Sequence, residues 1–93
     1  MPKYTAYNLM KKEEYLNKIN GSKDKIGMWN VMLGQNSQAG FVMGYFFKKD
    51  SNMYDVYINN ERGRQRIRLS TSDELQALEK LLAMVEFEVE SNR

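Results

Sequence analysis

Four short segments of strand-like composition follow one another in the middle of the chain, separated by brief polar turns. They are Lys25–Leu33, Phe41–Lys48, Met53–Ile58 and Arg64–Leu69, and the last alternates most regularly between polar and apolar residues. Alternation with a period of two is typical of strands that bury one face. Because the links between the segments are short, they predict an antiparallel meander of four strands.

Two further segments, one on each side of the predicted strands, have the character of helices. Asn8–Asn20 starts with a residue suited to an N-cap, and Gly21 follows it at the usual C-terminal position. The second helix is predicted to open with a capping box, in which Thr71 is the N-cap and Glu74 stands three residues later. The alternation of Glu86–Glu90 leaves open whether this helix continues, frays or ends in a short strand. Its apolar stripe consists of Leu75, Leu78, Leu82, Val85 and Val89.

The element order α-β-β-β-β-α predicts one α+β domain over residues 1–93. We expect two layers, with a four-stranded antiparallel meander covered on one face by an N-terminal and a C-terminal helix. The other face of the sheet is expected to stay open. Alternation assigns to the covered face Tyr54, Val56, Ile58, Ile67 and Leu69. It assigns to the open face Asp55, Tyr57, Asn59, Arg64, Arg66 and Arg68.

The absence of histidine and cysteine limits the chemistry open to these 93 residues. It excludes a zinc site of Cys/His type, a disulfide framework and any Ser-His-Asp or Cys-His relay. General acid–base catalysis would need a carboxylate or lysine with a strongly shifted pKa. We therefore predict a protein that is not an enzyme and that carries no cofactor or metal.

Apolar residues are frequent, at 42% of the chain, but no apolar run reaches the ~20 residues that cross a bilayer. The first residues, Met1 to Met10, are polar and lack the apolar core of a secretory signal. The lack of cysteine fits a reducing compartment. The sequence thus predicts a cytoplasmic protein that has no association with a membrane.

The net charge of +2 conceals an uneven distribution of charged side chains. Residues 1–70 carry 12 basic and 6 acidic side chains, whereas residues 71–93 carry 2 basic and 6 acidic ones. A basic body could steer the protein toward an anionic partner. Alternatively, the acidic residues only solvate the outer side of the second helix.

A row of three arginines next to aromatic rings on the predicted open face is the candidate binding site. Such a row favours a protein interface, because arginine and aromatic residues are enriched there. Rings flanked by cations also bind single-stranded nucleic acid. A third reading is a solvated face in which arginine pairs across strands with Asp55. The candidate partner-binding residues are Tyr45, Phe47, Tyr57, Arg64, Arg66 and Arg68.

Four short motifs in sequence carry a resemblance to a known family. Gly44-Tyr45-Phe46-Phe47 is followed by a polar turn, then by Tyr54-Asp55-Val56-Tyr57 and Glu61-Arg62-Gly63, and an acidic helix opens at Asp73-Glu74. Over about residues 29–85 this resembles the small bacterial immunity proteins of polymorphic toxin systems. The third strand has Met53-Tyr54 where the family pattern has tryptophan.

The resemblance implies a cytoplasmic protein that binds a cognate toxin domain and blocks it by contact, without catalysis. The alternative function is a small nucleic-acid-binding or phage/host regulatory module that uses the arginine and aromatic face. Either function is compatible with a monomer or with a homodimer through a sheet edge, because a simple meander leaves its first and last strands unpaired on one side.

Overall fold

Two helices and a four-stranded sheet make up the fold in this computed structural model, which describes residues 6–92. The α+β class and the order α-β-β-β-β-α are as predicted. The segment Met1 to Met10 was predicted to lack a secretory signal, and its residues 1–5 lie outside the described residues. The elements are α1 (Ala6–Ser22), a short 3₁₀ turn (Lys23–Lys25), β1 (Asn30–Leu33), β2 (Val42–Lys48), β3 (Met53–Asn59), β4 (Gln65–Thr71) and α2 (Glu74–Ser91).

The sheet is mixed, so the prediction of a fully antiparallel meander is wrong. Strands lie in the order β1-β2-β3-β4, and the pairs β2–β3 and β3–β4 are antiparallel, but β1 runs parallel to β2. Parallel neighbours usually need a long crossover, because the chain must return to the start of the first strand. Here β1 has only four residues, or about 13 Å of strand, so the short link of residues 34–41 suffices.

The first strand is shorter than predicted because its N-terminal half takes another conformation. Lys23–Lys25 form the 3₁₀ turn, Ile26 is fully buried, and Gly27 has a left-handed φ of 65°. A left-handed residue interrupts an extended strand, and glycine adopts it without a steric cost. Strand β1 therefore begins only at Asn30.

Residues 34–41, called the return loop below, cover part of the sheet face opposite the helices. The Tyr57 hydroxyl donates to the Gln35 carbonyl at 2.7 Å. The Asn59 side-chain amide donates to the carbonyls of Ser37 and Ala39 at 2.8 and 2.9 Å. Tyr57 and Asn59 are fully buried as a result, so this end of the face is closed.

Gly44 allows the chain to pack closely at the base of the return loop. A Cβ atom at this position would lie 2.3 Å from the Met32 carbonyl oxygen and 3.0 Å from the Tyr57 hydroxyl. The first distance is shorter than a carbon–oxygen contact permits and involves backbone, so only a glycine fits between β1 and β3 here. The turn before β4 likewise uses Gly63, whose φ of 79° is a left-handed conformation that glycine adopts without a steric cost.

The hydrophobic core lies between the two helices and the sheet face that the return loop does not cover. Helix α1 packs against α2, and α2 packs against β2, β3 and β4. Helix α2 supplies five of the ten core residues, and three of these, Leu78, Leu82 and Val85, belong to the predicted apolar stripe. The core residues are Ile19, Ile26, Met43, Tyr45, Val56, Ala77, Leu78, Leu81, Leu82 and Val85.

Helix α2 begins two residues later than predicted. Asp73 is its N-cap, and its carboxylate accepts a hydrogen bond from the Leu75 backbone N–H at 3.0 Å. The predicted N-cap, Thr71, instead ends β4, and its hydroxyl accepts from the Asp73 backbone N–H at 3.1 Å. The helix continues to Ser91, so the alternating segment Glu86–Glu90 is helical and does not form a strand.

Candidate protein-binding groove beside strand β4

Strand β4 contains a β-bulge that sequence alternation could not reveal. Leu69 pairs with Val56 of β3, but Ile67 pairs with the next β3 residue, Tyr57, so Arg68 has no partner in β3. An extra residue in one strand shifts the alternation of its side chains by one position. On the N-terminal side of the bulge, Arg66 and Ile67 therefore lie on the faces opposite to those predicted, whereas Leu69 on its C-terminal side lies on the predicted face.

The predicted row of arginines on the open face is wrong for this reason. Arg66 pairs with Ile58, which packs against the helix-side core. Ile67 was predicted under the helices, but it lies beside Tyr57 on the other face and is 46% exposed. Arg64 precedes β4 and belongs to the turn that connects β3 with β4.

Arg68 lines an open groove between the end of β4 and helix α2. The groove has a volume of about 380 Å³. Its apolar part includes Phe87, which is 67% exposed, although a large aromatic side chain is normally at least half covered in a folded domain. Its lining consists of Ile58, Arg68, Lys80, Ala83, Met84, Phe87 and Glu88.

The helical repeat explains why α2 supplies most of the groove. Met84 follows Lys80 by four residues, and Phe87 and Glu88 follow Met84 by three and four, so all of them lie along one face of the helix. These residues form a second row along α2, next to the apolar residues that enter the core, and they line the groove together with Arg68 of β4. The sequence prediction missed these residues, because it treated Phe87 only as part of an alternating tail. The spacing from Lys80 to Glu88 was the signal that could have identified them.

The cations of the groove form no ion pair with an acidic side chain of residues 6–92. Within this range, ion pairs shorter than 4.0 Å involve lysines of α1 and β2. None of these pairs includes Arg66, Arg68 or Lys80, and none includes Glu88, the acidic residue of the lining. The groove lining therefore carries two cations and one carboxylate beside exposed apolar surface.

Tyr45, a predicted partner-binding residue, belongs to the interior. It is 6% exposed, and its hydroxyl donates to Glu74 Oε2 at 3.0 Å. Lys12 Nζ lies 3.3 Å from Glu74 Oε1, so the three side chains connect β2, α2 and α1. Burial raises the pKa of the Tyr45 phenol and the pKa of the Glu74 carboxyl above their ordinary values. This arrangement is a structural contact between elements.

Tyr57, another predicted partner-binding residue, is closed off by the return loop. Its ring makes an edge contact with Phe46, with 5.7 Å between the ring centres. Burial raises the pKa of Tyr57 to about 12, although a backbone hydrogen bond from Ser37 opposes this shift. Its side chain has no exposed surface, so a partner cannot contact it directly in this conformation.

The remaining predicted residues lie at the surface but not together. Phe47 is 43% exposed at the end of β2, where its ring centre lies 5.0 Å from that of Tyr54. Arg64, Arg66 and Arg68 are exposed, and Arg68 alone among the six predicted residues lines the groove. The structure thus divides the predicted site into two buried tyrosines, an exposed phenylalanine at the end of β2 and three exposed arginines near β4.

Asp55 does not form the cross-strand pair with arginine that the sequence suggested. It is 4% exposed and accepts a hydrogen bond from the Ser70 hydroxyl at 2.6 Å. Lys48 Nζ lies 3.6 Å from its other carboxylate oxygen. The Asp55 carboxylate therefore has its partners, Ser70 and Lys48, on the face that carries the return loop, and it forms no ion pair with the arginines of β4.

Other sites offer less chemistry in the part of the chain that the structure describes. A smaller polar cavity of about 220 Å³ lies between α1 and the start of α2. No group of three or more acidic side chains is placed to hold a metal ion among residues 6–92. Over the same range, neither helix combines the length and the apolar character needed to cross a membrane.

Comparison with known proteins adds no relative. The chain matches no family model, no curated protein and no solved structure. The resemblance to immunity proteins therefore stays a prediction from short motifs, and the groove is the main structural guide to function.

Proposed function

We propose that this protein is a non-catalytic binding domain that holds a protein partner in the groove beside β4. The single observation that carries the proposal is the exposed Phe87 ring, which lines the groove with Met84 and Ile58 and shares it with Arg68 and Lys80. In its specific form, the partner is a bacterial toxin domain that the protein neutralises by direct contact, as an immunity protein does.

The groove has the composition of a binding hot spot. Aromatic, methionine and arginine side chains are enriched in the cores of protein interfaces, and a few of them carry most of the affinity. Covering apolar surface contributes about 25 cal/mol per Å², so burying Phe87 and Met84 together would favour a complex. Arg68 and Lys80 at the rim would then orient an acidic partner and speed its association.

The burial of two tyrosines supports a protein partner over a nucleic acid. Binding of single strands needs rings exposed for stacking. Tyr57 lies beneath the return loop, and Tyr45 is hydrogen-bonded to Glu74 in the core. The face on which the nucleic-acid alternative depends therefore lacks these two rings at its surface.

The choice of a toxin partner depends on the motifs of the resemblance. They lie in β2 and β3, in the turn that contains Gly63, and at the start of α2. Of these elements, β3 and α2 also contribute residues to the groove lining, although the motif residues themselves lie outside it.

A growth assay tests the proposal. The full chain is produced in cells that also produce the toxin domain encoded beside its gene. We expect the chain to restore growth, and we expect Phe87→Ala and Arg68→Glu to reduce this protection at least tenfold. Arg64→Glu is the matched control, because it reverses an exposed arginine outside the groove, and it should protect like the original chain.

Three results would contradict the proposal. If the neighbouring genes encode no toxin domain, or if the chain fails to restore growth, the toxin assignment is wrong. If Phe87→Ala and Arg68→Glu protect fully, the partner binds elsewhere. Circular dichroism of each variant verifies that a loss of protection does not arise from unfolding.

A further inference from the structure

We infer that the groove receives an extended acidic segment of the partner, which pairs with the free edge of β4 and places an apolar side chain against Phe87. The inference depends on the proposed function in one respect, namely that the partner is a protein. It adds the conformation and the chemistry of the segment that binds.

The free edge of β4 is the first observation. This strand has seven residues and is the last of the sheet, so within residues 6–92 only β3 pairs with it. An edge strand presents unpaired backbone N–H and C=O groups along its outer side. An extended peptide can satisfy these groups by adding one strand to the sheet.

The charge of this edge is the second observation. Arg66 lies on the helix side of β4, and Arg68 lines the groove together with Lys80 and Glu88 of α2, so cations outnumber the carboxylate. Arginine binds carboxylates through two parallel hydrogen bonds, which fixes the orientation of an acidic segment as well as attracting it. Side chains that alternate along an added strand would place acidic and apolar groups on the face that α2 borders.

The free edge of β4 favours a strand over a helix. A helix satisfies its backbone groups internally and would leave the edge of β4 unpaired, whereas an added strand pairs with it. The groove of about 380 Å³ then receives side chains that project from the added strand.

A second copy of this chain is a poor occupant. Antiparallel pairing of β4 with β4 of another copy would bring Arg66 and Arg68 of one copy close to those of the other. Like charges directly opposite each other destabilise a strand pair. Positive charge on an edge strand is also a common protection against such self-pairing. The same charge attracts a segment of opposite sign.

Peptide display against the full chain tests the inference. Random peptides of about eight residues, a little longer than a typical strand, are selected on the immobilised protein. We expect enriched peptides to combine at least two acidic residues with a large apolar one at alternating positions. Their affinity should fall at least tenfold for Arg68→Glu and for Lys80→Glu, and should change less than twofold for Arg64→Glu.

Hydrogen exchange then tests the mode of binding. A bound strand should slow the exchange of backbone amides on the outer side of β4, and a proline at a pairing position of the peptide should abolish binding because it has no N–H to donate. Selection of neutral, basic or no peptides would overturn the inference, as would unchanged exchange in β4. Sedimentation that shows a stable dimer lost in Arg66→Glu would also overturn it.

This experiment separates the inference from the proposed function. If growth is restored but no acidic strand is selected, the toxin function stands and the inference is wrong. If acidic peptides bind β4 but growth is not restored, the inference stands and the toxin assignment is wrong.

Discussion

The two faces of the sheet differ in how they are covered beside β3 and β4. On one face, the return loop covers Tyr57 and Asn59 and accepts hydrogen bonds from their side chains. On the other face, an open groove remains between helix α2 and β4, and both Phe87 and Arg68 line it. The sequence predicted the reverse, with the first face open and the second covered.

The difference teaches that polarity alone does not decide which side chains are buried. Asn59 is buried because loop carbonyls satisfy both hydrogens of its amide nitrogen, so burial leaves no donor unpaired. Phe87 is exposed because no element within residues 6–92 extends over it. The first face is closed within the chain, whereas we propose that a partner closes the second.

The largest effect is expected at the hydrogen bonds that hold the return loop. Asn59→Ala removes the amide that donates to the carbonyls of Ser37 and Ala39, so two partly buried hydrogen bonds between β3 and the return loop are lost. We expect a loss of about 2–3 kcal/mol in the free energy of unfolding, measured by urea denaturation. Gln38→Ala, in the exposed part of the same loop, is the matched control and should change it by less than about 0.5 kcal/mol.

A change in the free energy of unfolding below about 0.5 kcal/mol for Asn59→Ala would contradict this difference between the two faces. It would mean that the return loop is not held by these bonds, and that the face beneath it can open.

A smaller effect is expected for Tyr57→Phe, which removes one hydrogen bond to the Gln35 carbonyl. We expect a loss of about 1 kcal/mol at neutral pH. The pKa of Tyr57 is raised from 10.0 to about 12 in the folded protein, so the folded state keeps its proton where the unfolded state loses it. The free energy of unfolding should therefore fall as the pH rises from 10 toward 12, and Tyr57→Phe should lack this contribution.

Urea denaturation across this pH range measures the effect as the difference between the original chain and the variant. Tyr7→Phe is the control, because its hydroxyl belongs to a side chain that is 63% exposed. A Tyr57→Phe difference that stays constant with pH would show that the Tyr57 hydroxyl is not buried in solution.

The smallest effect on stability is expected in the groove. Phe87→Ala removes a ring that is 67% exposed and introduces a better helix former, so the free energy of unfolding should change by less than about 0.5 kcal/mol. Thermal denaturation measures it, with the exposed Glu86→Ala as the control in the same helix turn. A loss above about 1.5 kcal/mol would assign Phe87 a structural role and would remove the main support for the groove as a binding site.

Local features of the sequence were sufficient for the element order. The apolar stripe of α2, the polar turns and Gly63 predicted two helices and four strands, and each β3 residue packed against the helices was assigned to the correct face. These features act within a few residues, so they can be recognised without knowing the rest of the fold. The candidate site was predicted less well, since only Arg68 of its six residues lines the groove.

The sequence by itself determined which segments form helices and strands, because hydrophobic period and turn residues are local properties. Only the tertiary structure decided that β1 runs parallel to β2, that the return loop covers Tyr57, and that a bulge directs Arg68 toward α2. Each of these depends on the register of strands and on hydrogen bonds between residues distant in sequence. A shift of one residue in that register moves a side chain to the opposite face, and this is why the groove was not predictable from the pattern of arginines.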